Sequence, residues 1–152
     1  IKEFQIKYQD DIKITNEEEL ERLLDKDEFF ENIEKLGNDI EKTYKEILVK
    51  LNQNKENKKY KDGITDTLKT KIIMGTLGIT PACDRFFLLA ISEINKVEIK
   101  LGRKFNTKTI KSWYRYYYEN YEQFETLREK TNYPIMKVLD MCLWQYGSEI
   151  DE

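Results

Sequence analysis

Asp84, Arg85 and Asp140 are the residues of this chain best placed to do chemistry. Asp84 lies one and two turns before Leu88 and Ile91, so it shares their apolar helical face. Asp140 is flanked one turn either way by Met136 and Trp144. An ionised carboxylate on such a face needs a counter-charge or several hydrogen-bond donors. Arg85 carries a planar fork that can hold a carboxylate bidentately. Two readings stay open. In one, the three side chains form a buried ion-pair clasp between the helices that carry them. In the other, they line a pocket together with Thr65 and Asp66, as an enzyme or a ligand-binding protein would require. Paired carboxylates can also hold a divalent cation. No metal-ligand spacing accompanies these two, so no metal and no cofactor is expected.

The chain has no histidine. Ser-His-Asp and Cys-His nucleophile systems, HExxH metal sites and histidine-based ribonuclease chemistry are therefore excluded. There is no phosphate-binding glycine loop, and the balance leans away from an enzyme. The two cysteines, Cys83 and Cys142, sit in apolar helical patterns without CxxC spacing and read as buried thiols in a reducing compartment. No apolar run reaches the ~18 residues of a membrane span, and no signal-peptide pattern opens the chain. A cytoplasmic protein with no membrane partner is the expectation; its oligomeric state is left open.

A second constellation is basic and aromatic. Residues 96–115 carry seven Lys and Arg against Glu98 alone. Lys100, Arg103, Lys104, Lys108, Lys111 and Arg115 adjoin Tyr116 and Tyr118, two aromatics that core spacing does not explain. Cations attract phosphates and aromatics stack on bases, so this is a candidate surface for nucleic acid or for a protein partner. The bland alternative is a solvated interhelical loop beside a tyrosine-rich core face. Charge is also segregated: residues 10–46 hold fourteen acids and six bases, and residues 50–71 hold seven bases and three acids. The two segments either pair within the fold or leave an acidic face for a basic partner.

These residues must be positioned by helices. At 152 residues, with 39% hydrophobic and 36% charged content and few Pro or Gly, the chain has the size and composition of one helical domain. Periodicity predicts a compact all-α bundle of five to six helices. Residues 1–14 alternate loosely and read as an arm or short strand. One helix, capped by Thr15 or Asn16, runs to a stop at Gly37, and a second runs from Asn38 to about residue 52. Residues 52–63 read as a flexible loop. A third helix is capped by Thr65. A fourth is capped by Thr80, with Pro81 at its first position, and closes at Gly102. Thr107 starts a fifth through Leu127. Pro134 starts a sixth, apolar nearly all round and therefore central, which Gly147 ends before a frayed tail at 148–152.

Two stretches, TDTLKTKIIMGTLGITPACDRFF (Thr65–Phe87) and YPIMKVLDMCLWQYG (Tyr133–Gly147), resemble a family of uncharacterised all-helical bacterial proteins. They cover about a quarter of the chain, which departs from the family's pattern at Ile79, Ala82 and Cys83. The resemblance implies a bacterial protein of a low-GC organism or its mobile elements, and it supplies no catalytic residues. It also implies a further helical segment upstream, so that this chain, which opens on Ile1, corresponds to the C-terminal part of a longer protein. The leading expectation is a non-catalytic cytoplasmic module that binds a protein partner in a phage-defence or mobile-element setting. A nucleic-acid binder and an Asp84/Arg85/Asp140 enzyme stand as alternatives.

Overall fold

Capping side chains mark four of the helix starts among the described residues. The computed structural model describes residues 1–53, 63–97 and 100–151. Among them it contains α1 (Lys2–Lys7), α2 (Gln9–Ile12), α3 (Glu17–Leu24), α4 (Asp27–Gln53), α5 (Asp66–Leu77), α6 (Arg85–Ile94), α7 (Thr107–Glu119), α8 (Tyr121–Thr131) and α9 (Ile135–Ile150). The all-α class holds, but the described residues form more helices than five or six. Asn16, Thr65, Asp84 and Asn106 each accept a hydrogen bond from a backbone N–H three residues on, which satisfies an amide that the first helical turn leaves free.

Several expected boundaries are corrected. Residues 1–14 form two short helices instead of an arm or strand, because Phe4 and Tyr8 are buried against Phe29, with ring centroids 6.0 and 5.3 Å away. The break between the next two helices falls at Asp25–Lys26, and α4 runs straight through Gly37. That glycine is there for a close approach: a Cβ would strike the ring of Phe105. The fourth helix starts at Arg85, not after Thr80. It ends at Ile94, where the Asn95 side chain takes both the N–H (2.7 Å) and the C=O (3.0 Å) of Leu101. Asn120 divides the fifth helix into α7 and α8, its amide bonding back to the Tyr116 carbonyl at 2.9 Å. α9 continues past Gly147 to Ile150, and Asp151 follows as its C-cap. Most of the expected 52–63 loop, together with residues 98, 99 and 152, lies outside the described residues.

The core is built from Phe29, Phe30, Ile33, Ile73, Phe87, Trp113, Tyr114, Tyr117, Met136, Val138 and Leu139. α9 packs on α6, α7 and α8. It is a wall of the bundle rather than a fully encircled helix, since Trp144 is 41% and Tyr146 45% exposed. No helix among the described residues is long and apolar enough to cross a membrane.

Candidate functional site

The five residues first suspected of sharing a site are distributed around a buried strap, residues 79–84, that joins α5 to α6. Ile79, Thr80, Pro81, Ala82 and Cys83 are all buried. Buried non-helical backbone leaves polar groups that water cannot reach, and each needs a partner. Side chains from three helices supply them. Tyr114 of α7 donates its hydroxyl to the Ile79 carbonyl at 2.9 Å. From α5, the Thr70 hydroxyl accepts the Cys83 N–H at 2.9 Å, and Thr67 donates to the Cys83 carbonyl at 2.6 Å. From α9, Asp140 Oδ1 accepts the Ala82 N–H at 2.8 Å. Replacing Thr70 with Val keeps the shape and removes the acceptor. We expect this to lower stability by about 1–2 kcal/mol in urea unfolding, because a buried donor is left unsatisfied.

Asp140 is 6% exposed. Burial pushes its carboxyl above the usual carboxylate range, while the Ala82 N–H and Lys137, 3.4 Å away, pull it back. Asp84 caps α6 through the Phe87 N–H (3.1 Å) and lies 3.8 Å from Lys71. Arg85 bridges neither carboxylate. It points outward and grips Asp151, with one contact at 2.7 Å. Thr65 caps α5. Asp66 accepts the Phe105 N–H at 3.0 Å and pairs with Lys69 at 2.8 Å, which in turn reaches Glu41 at 3.2 Å and so ties the basic segment to the acidic helix. Among the described residues no buried side-chain nitrogen or oxygen lacks a hydrogen-bond partner. Burial raises the Cys83 thiol to about 12, which keeps it protonated and unreactive at neutral pH.

The basic segment divides. Lys111 pairs with Asp27 at 2.6 Å and lies over the Phe30 ring. Lys100, Arg103, Lys104, Lys108 and Arg115 are exposed, and none has an ion-pair partner among the described residues. Tyr116 and Tyr118 are two residues apart on α7 and so point about 200° apart. Tyr116 meets Phe124 edge-on at 6.0 Å, and Tyr118 packs on the core near Glu21 and Glu17. Both are half-buried.

Sequence reasoning missed a groove of about 550 Å³ where the end of α6, the α7–α8 junction and the C-terminal half of α9 meet. Ile94, Val97, Tyr116, Phe124, Leu143 and Tyr146 give it apolar walls, Cys142 lies within it, and Glu93, Asn120 and Gln123 add polar groups. Val97 is 79% exposed. In a helix running on to Gly102, as the sequence predicts, Val97 would continue the core stripe; because α6 ends at Ile94, Val97 falls at the groove instead. No protein-family profile matches the chain, and neither a curated protein nor a solved structure is significantly similar to it.

Proposed function

We propose that this chain is a non-catalytic interaction module that docks a protein partner in the groove between α6, the α7–α8 junction and α9. The observation that carries this reading is the apolar lining left open to solvent, with Val97 and Tyr146 standing exposed at one site. Contiguous exposed apolar surface with a few polar groups around it is characteristic of protein interfaces. The enzyme alternative has less support, because Asp84, Arg85 and Asp140 are each engaged in capping, pairing or holding backbone. The bacterial cytoplasm and a mobile-element or phage-defence setting belong to this proposal through the sequence resemblance.

A photo-crosslinking residue placed at Val97 tests the reading. A partner captured there should be lost when Tyr146 is changed to Arg, with the melting temperature of the chain unchanged, because Tyr146 is exposed. Equal capture from a crosslinker at Lys13, which is distant in sequence and exposed, would sink the proposal.

A further inference from the structure

We propose that Lys100, Arg103, Lys104, Lys108 and Arg115 form a second, independent surface that binds the phosphate backbone of duplex nucleic acid. The argument starts from charge accounting. Of the seven cations between residues 96 and 115, Lys96 and Lys111 have acid partners, Glu93 and Asp27. The other five are exposed without an ion pair among the described residues. Lys108, Lys111 and Arg115 recur at i, i+3 and i+7 on α7, which puts them in one stripe opposite the buried Ile110, Trp113, Tyr114 and Tyr117. Arg103 and Lys104 lie in the loop that enters this helix, with Lys100 just before them.

The neighbouring acids limit the patch without cancelling it. Asp27 is engaged by Lys111. Glu34 occupies the N-terminus of α7, accepting the Thr107 N–H at 2.7 Å, so phosphate is not held there. Glu119, one turn beyond Arg115, bounds the stripe at its other end. Lys108 to Arg115 spans about 10 Å of helix, which would face about six charges of a duplex carrying one per ~1.7 Å of axis.

The choice of duplex over single strand follows from the aromatics. Single-strand binders stack bases on exposed rings. Tyr116 and Tyr118 are turned to opposite flanks of the stripe and packed, so the patch offers cations without a stacking platform. Contact with the backbone alone carries little sequence preference.

The test is fluorescence anisotropy with a labelled 20-base-pair DNA duplex, its RNA counterpart and the single strand, between 50 and 200 mM KCl. With five phosphates neutralised, duplex affinity should fall about 500-fold across that range, a log–log slope of about −4.5. Changing Lys104, Lys108 and Arg115 together to Gln should flatten the slope by about 2.7. The matching change at Lys2, Lys13 and Lys130, exposed cations elsewhere, should leave it unaltered. Four outcomes overturn the proposal: no duplex binding at 50 mM salt, equal losses in the two triple variants, tighter binding to the single strand, or retention on anionic phospholipid vesicles without duplex binding.

Discussion

Asp140→Ala is expected to lower stability by about 3 kcal/mol, while Asp140→Asn lowers it by less than half as much. The alanine removes the carboxylate oxygen that accepts the buried Ala82 N–H and leaves Lys137 without its carboxylate. An unsatisfied buried donor costs about 1–3 kcal/mol, and the emptied volume adds to this. Asparagine keeps a carbonyl oxygen for the Ala82 amide and removes a charge that burial disfavours. The pair therefore separates the role of the acceptor from the role of the charge. The pH dependence has a definite sign. Burial holds the Asp140 carboxyl above its ordinary value, so the native state binds this proton more tightly than the unfolded chain does. The stability it contributes is complete in acid, below the unfolded value, and is lost as pH rises through the raised native one. Relative to Asp140→Asn, the wild type should be more favoured at pH 4 than at pH 7. Using this difference cancels the opposite trend of Glu41, whose carboxyl Lys45 and Lys69 hold low. Urea unfolding at the two pH values measures it; a difference that moves the other way would mean that Asp140 is stabilised as an anion.

Gly147→Ala should destabilise the chain by about 2 kcal/mol, lowering the melting temperature by roughly 4–8 °C for a domain of this size. Helix propensity alone argues for the reverse, since alanine is better than glycine inside a helix by about 1 kcal/mol. Packing decides the sign. A Cβ at Gly147 would run into the backbone carbonyl of Phe86, and a main chain cannot turn aside as a side-chain tip can. α9 would have to lift from α6. Gly75→Ala is the control: it lies in α5, and a Cβ there meets nothing within 4 Å. That variant should gain about 0.5–1 kcal/mol. Scanning calorimetry of the two variants would show shifts of opposite sign; a stabilised Gly147→Ala would mean that the α6–α9 approach is looser than described.

These residues also show what could be read in advance. The helical class was legible because apolar residues recur at the helical period through most of the chain. Glycine was the ambiguous sign. Gly37 and Gly147 looked like helix ends, and each instead makes room for a group from elsewhere, Phe105 or Phe86. Nothing local distinguishes the two uses. The strap was ambiguous for a related reason, since Thr80 and Asp84 are both good caps. Asp84 caps α6, and the Thr80 hydroxyl faces the Thr70 carbonyl. The need of Asp140 for donors was legible from its apolar neighbours; that the donor would be a backbone amide was not. The groove was hidden because Val97 and Tyr146 have the composition of core, and only the early end of α6 exposes Val97.

The strap looks like the most local feature of the chain, a six-residue connection between consecutive helices. In folding terms it is among the least local. Ala82 finds its acceptor 58 residues downstream, and Ile79 finds its donor 35 residues on. Closing loops of that length costs entropy before any contact returns it. A nascent chain that has emerged only as far as α8 contains every strap residue and two of the three helices that pin it, yet it lacks the carboxylate that completes the set. The connection between α5 and α6 is therefore finished by α9, which is synthesised after the other two helices that pin it.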